Sequence, residues 1–137
     1  MFRAIGHYEI TRDGDVIRVW SSPEFNLETA RQYALDMTEQ IKQMPPRFGV
    51  LVCSEALPVI RPDVEASMRQ SARERAAMGM AAVAFVSASP DGLAVVRVQW
   101  LRIYEGSGVA WEAFAEEAPA QAWLRLQLDR GKRPRAG

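Results

Sequence analysis

The chain carries one cysteine, Cys53, and one histidine, His7, among 137 residues. A single cysteine permits no internal disulfide, so nothing in the sequence asks for an oxidising compartment. One His and one Cys cannot fill a zinc shell without carboxylates, and no ligand spacing accompanies them. Net charge is missing too, since 17 Lys+Arg balance 17 Asp+Glu. The whole molecule therefore creates no strong field to draw in nucleic acid or an anionic membrane. The longest apolar run, Met78 to Val86, falls far short of the ~20 residues that cross a bilayer. Met1 to His7 lacks the apolar core of a signal peptide. Together these absences predict a cytoplasmic protein with no metal, no cofactor and no nucleic-acid partner.

What is present is ordinary globular material: 48% hydrophobic and 25% charged residues, in a chain long enough for one core. No repeat or internal boundary divides it. One domain is expected over residues 1–128. The remainder, 129–137, carries Arg130, Lys132, Arg133 and Arg135 without an apolar pattern and reads as a disordered, solubilising tail.

The organising stretch is Phe48 to Cys53, short, apolar and β-branched. A strand with one wet face alternates, so this run predicts a strand covered on both faces. Met80 to Ser87 reads the same way. Ahead of them, Ile5 to Thr11 and Val16 to Trp20 flank Asp13-Gly14, a hairpin signal. A two-residue turn there sets Ile10 opposite Ile17, Tyr8 opposite Val19, Glu9 opposite Arg18 and His7 opposite Trp20. A bulge at Gly14 would shift that register.

Helices fill the spaces between. Asn26 is a candidate N-cap. Ala30, Tyr33, Ala34, Met37, Ile41 and Met44 form one stripe that Pro45-Pro46 should end. Leu57 to Ile60, interrupted by Pro58, reads as a loop. Pro62 suits a first helical turn, with Asp63 and Glu65 complementing the dipole, and Gly79 suits the exit. The inner stripe of that helix is Val64, Met68, Ala72 and Ala76. Leu93 to Tyr104 fits either a strand or a helix by periodicity. Parallel strands on either side of it need a crossover, and that favours the helix. Val109 to Phe114 and Pro119 to Leu128 complete a single α/β domain of order ββαβαβαβα, its five-stranded mixed sheet opening on an antiparallel hairpin.

In this order the chain resembles the SpoIIAA-like family, which is related to STAS domains and to the CRAL-TRIO lipid-binding fold. The residues that carry the likeness are Gly14-Asp15-Val16-Ile17, Phe25-Asn26, Ala84-Phe85-Val86, and Phe114 with Ala120-Gln121-Ala122-Trp123-Leu124. It spans about Ile5 to Leu128. The resemblance implies a non-enzymatic binding module that opens an apolar groove to a small lipid-like ligand and associates reversibly with membranes. STAS relatives are instead protein-interaction regulators, switched at a serine that opens the second helix. Here that place reads Val59-Ile60-Arg61-Pro62-Asp63 and has no serine.

Three clusters invite a sharper reading. Cys53 and His7 could form a nucleophile and base, but nothing places a third group to orient the imidazole. A free Cys at the end of a buried strand is more simply a small hydrophobe. Arg61, Arg69 and Arg73, with Arg75, could grip an anion or an acidic partner. Glu65 and Glu74 offer a self-paired solvated face instead. Finally, Met68, Ala72 and Met78 on the second helix, facing Trp100 and Tyr104 on the third, would line a groove or simply fill the core. The free edge of the first hairpin strand leaves room for a homodimer.

Overall fold

The computed structural model describes residues 8–21, 27–54, 62–87 and 90–132. Nine elements follow one another in the predicted order. They are β1 (Tyr8–Asp13), β2 (Val16–Ser21), α1 (Leu27–Ile41), β3 (Phe48–Ser54), α2 (Pro62–Ala77), β4 (Met80–Ser87), α3 (Pro90–Tyr104), β5 (Ala110–Phe114) and α4 (Glu117–Lys132). The five strands form one sheet in the order β1-β2-β3-β4-β5. β1 pairs antiparallel with β2, and every later pair is parallel.

That simple order dictates the layering. Crossovers between parallel strands are right-handed, so a sheet that grows in one direction only sets all its crossover helices on the same face. The core bears this out. Met37 and Ile41 of α1, Ala72 of α2, and Trp100, Ile103 and Tyr104 of α3 pack with Ile17, Val19, Val50, Val52, Val83 and Phe85. The opposite face is left to α4, whose Ala120, Leu124 and Leu128 pack on Leu51, Ala82 and Ala84. β3 lies at the centre with Phe48 to Val52 buried, because both of its faces are covered. Along β4 the small Ala82 and Ala84 face the single helix, while the larger Val83 and Phe85 face the three-helix layer. Among the described residues no helix is long and apolar enough to cross a membrane.

The hairpin register departs from expectation. Ile10 pairs with Val19, Arg12 with Ile17, Glu9 with Trp20 and Thr11 with Arg18. The turn residues are thus Gly14-Asp15 rather than Asp13-Gly14, and Gly14 takes φ 62°. Glycine at the first central position with positive φ is the II′ solution for a two-residue hairpin. The slip is two residues, so Tyr8, Ile10, Ile17 and Val19 keep a common face and the apolar pattern is indifferent to it. His7 lies outside the described residues.

Arg18, no longer opposite Glu9, reaches Glu117 at the start of α4 with two hydrogen bonds of 2.7 and 2.5 Å. The guanidinium holds the Glu117 carboxyl below its ordinary value of 4.5. A depressed carboxylate stabilises the fold fully above its unfolded pKa and stops doing so as pH falls through the folded value. Replacing Glu117 with Gln should therefore lower stability at pH 7 and make the loss between pH 5 and 3 shallower. The pair is exposed, so the difference should stay under about 1 kcal/mol. Urea titrations at pH 7 and pH 3 would read it.

Two helix ends also differ. α1 stops at Ile41, and Lys42 to Met44 turn away before Pro45. α4 continues through Asp129 and Arg130 to Lys132, so the helix includes four residues expected in the tail. Arg125 accounts for part of this extension by pairing with Asp129 at 3.2 Å and with Asp15 of the hairpin turn at 2.7 Å. Residues 133–137, the Asn26 cap and the 57–60 loop lie outside the described residues.

Candidate functional site

α2 and α3 lie across the sheet with their inner stripes facing β3 and β4. Val64 and Ala72 of α2 are buried, with Met68 and Ala76 packed against the same core. On α3, Trp100 and Tyr104 are four residues apart and so share a face. Their rings stack at 5.2 Å and 9°, and Trp100 meets Phe85 at 5.1 Å and 47°.

These residues do not close completely. A cavity of about 50 Å³ remains between the sheet and the three-helix layer. Its floor is Val19, Val50, Val52, Met80, Val83 and Phe85; its walls are Tyr33 of α1, Val64, Met68 and Arg75 of α2, and Trp100 and Tyr104 of α3. That space corresponds to roughly three or four waters, where close-packed interiors rarely leave more than one. Ser21 borders it, in register with the buried Ser54 and Ser87 across β2, β3 and β4. The serines mark the carboxyl ends of the parallel strands.

Arg75 is the exceptional wall residue. It is only 9% exposed, and its guanidinium carbon lies 5.1 Å from the Tyr33 ring centroid. Among the described residues no carboxylate pairs with it. Burial raises the pKa values of Tyr33 and Tyr104 while the nearby Arg75 charge opposes the rise, so both phenols stay protonated through neutral pH. Trp100, 6% exposed, has its Nε1 buried with no hydrogen-bond partner among the described residues.

Of the five groove residues expected from sequence, the fold brings Met68, Trp100 and Tyr104 to the cavity. Ala72 is buried beneath α2 without lining it. Met78 falls in the turn after α2, 38% exposed and away from the cavity, because the helix ends at Ala77. The arginines divide. Arg69 and Arg73 are exposed and lie in an open concavity with Ala66, Gln70 and Glu74. Glu65 does not neutralise Arg69; it accepts from Arg102 of α3 at 2.9 Å. Arg61 lies outside the described residues. Arg75, grouped with the others on sequence, turns inward. Its signal was the helical period, since 75 follows Ala72 by three on the inner stripe, and Tyr33 likewise belonged to the inner stripe of α1.

Cys53 sits half-buried on the other face of the sheet, its Sγ 3.7 Å from Glu117. Burial pushes its thiol up to about 11 despite the nearby Arg18. At neutral pH it is a thiol and not a thiolate. Among the described residues no cluster of three His, Cys, Asp or Glu side chains has metal-binding geometry.

No protein-family model matches the chain, and a search of curated proteins finds no match. Fold and site together define a mixed-sheet α/β domain enclosing a small apolar cavity with one buried cation in its wall.

Proposed function

We propose that this protein is a binding module that holds a compact apolar or amphipathic ligand between the sheet and α2/α3. The observation that carries the reading is the cavity itself. Apolar side chains from three strands and three helices surround it, and an apolar void that stays empty forfeits the dispersion contacts its lining would otherwise make. At about 50 Å³ the space is smaller than a six-membered ring needs, so a ring or a short branched chain requires α2 and α3 to ease apart, and a full acyl tail requires far more. A longer lipid, or reversible membrane association, would require α2 and α3 to part. Membership of the SpoIIAA-like family and a cytoplasmic location belong to the same proposal, supported by the shared element order and the lone cysteine.

Native mass spectrometry of freshly purified protein, with thermal shifts against small neutral probes such as indole and cyclohexanol, tests the reading. The expected result is either a co-purifying small mass or a probe-dependent rise in Tm. Neither, together with no flotation on liposomes, would reject it. The alternative is a protein-interaction regulator acting through Arg69 and Arg73, whose guanidiniums form no ion pair among the described residues. In the same preparation, Arg69→Glu/Arg73→Glu should then lose a co-purifying protein while probe binding is untouched.

A further inference from the structure

We infer that the ligand is a monocarboxylate with a compact apolar body, an aryl or branched-alkyl acid, whose carboxylate meets Arg75 and whose body lies against Trp100 and Phe85. The inference rests on the binding-module reading and adds the chemistry of the ligand. It comes from matching donors to acceptors. Arg75 offers five N–H donors and no acceptor, and indole Nε1 offers one donor and no acceptor. Among the described residues, one of these groups is a cation only 9% exposed with no carboxylate beside it, and the other is a buried donor without a partner. Both line the same cavity.

A buried charge is costly unless it is paired, and a buried donor unless it is bonded. Contact with the Tyr33 ring at 5.1 Å meets part of the need of Arg75, as a cation–π pair. That contact leaves its N–H groups without an acceptor atom among the described residues. The missing complement is a group made only of acceptors and carrying one negative charge, which is a carboxylate. A phosphate monoester would bring close to two charges against one guanidinium in an otherwise apolar enclosure and leave the excess unpaired. Among the described residues the other buried polar side-chain atom without a partner, Gln99 Oε1, is an acceptor, and Gln99 does not line the cavity.

The test compares benzoate, benzamide and phenyl phosphate as probes of the full chain by calorimetry at pH 7. Two-dimensional NMR of the indole N–H resonances accompanies it, with Trp100 identified among the four tryptophans by Trp100→Phe. Benzoate should bind at least tenfold more tightly than benzamide and move the Trp100 N–H resonance downfield. Arg75→Met should remove that preference, bringing benzoate and benzamide to within about threefold of each other, and Arg75→Lys should restore part of it. Equal affinity for benzoate and benzamide would overturn the carboxylate and leave the cavity reading intact. Binding of no probe at all would overturn both. Tighter phenyl phosphate would overturn the monoanion. Should Arg75→Met fail to fold, the wild-type NMR titration decides alone. An unmoved Trp100 N–H at saturating benzoate would place the acid elsewhere and reject the inference.

Discussion

Gly79→Ala should destabilise the protein by about 3–5 kcal/mol, enough to threaten folding in a domain of ordinary stability. Gly79 has φ 115°, and a Cβ built there would lie 2.1 Å from the Pro46 carbonyl oxygen and 3.0 Å from its carbon. The φ value alone costs an L residue roughly 1–3 kcal/mol. The clash is with backbone, which cannot swing aside as a side chain end can, so the 46–48 segment must move. That segment delivers Phe48, 0% exposed, into the central strand, and the Phe48 N–H donates to the Gly79 carbonyl at 3.2 Å. Strain at the exit of α2 thus passes directly to the start of β3. Gly14→Ala is the control: φ is 62° there, with nothing within 4 Å of the added carbon. It should cost only about 1 kcal/mol. Urea unfolding of both variants measures the difference, and a Gly79→Ala loss no larger than that of Gly14→Ala would mean the Pro46 contact is absent in solution.

The layering was legible because it follows from two apolar runs. Phe48 to Cys53 and Met80 to Ser87 do not alternate, so each needed cover on both faces, and the connection between parallel strands forced Leu93 to Tyr104 into a helix that periodicity left ambiguous. The hairpin register was not legible for an equally physical reason. A two-residue slip leaves Tyr8, Ile10, Ile17 and Val19 on one face, so burial cannot choose between the two frames, and only the backbone of Gly14 does. Trp100 and Tyr104 could be read as partners from their spacing of four. Arg75 could not, because residue type outweighed period: among several arginines on one helix, the inward one differs from Arg69 and Arg73 only in angle around the axis. Met78 failed in the opposite way, as an apolar residue credited to a helix that had already ended. The closing helix outran its apolar pattern because Arg125 ties its last turns to Asp129 and to the hairpin turn at Asp15.

Trp100→Ala should cost about 3 kcal/mol, near the lower end of the ~3–5 kcal/mol typical for a large buried aromatic, and indole should restore much of it. The substitution removes the ring that stacks on Tyr104 and leans on Phe85, and it opens a larger void continuous with the existing cavity. It also removes a buried Nε1 that has no hydrogen-bond partner, a group whose desolvation costs the wild type roughly 1–3 kcal/mol. The two effects oppose, which is why the loss falls short of the upper figure. Trp100→Phe separates them. It keeps most of the apolar contact and removes the unpaired N–H, so its stability should lie within about 1 kcal/mol of wild type, in either direction. Indole refills the Trp100→Ala void, and at a hundredfold excess over its Kd it should return about 2.7 kcal/mol. In a chain of this size that is a rise in Tm of roughly 8–12 °C. The ordering of the two variants is the discriminating result. If Trp100→Phe loses as much as Trp100→Ala, the indole N–H has a partner in solution and the donor excess in the cavity disappears. If indole leaves the Tm of Trp100→Ala unchanged, α2 and α3 have collapsed onto the gap, and the wall between them is too soft to hold a preformed site.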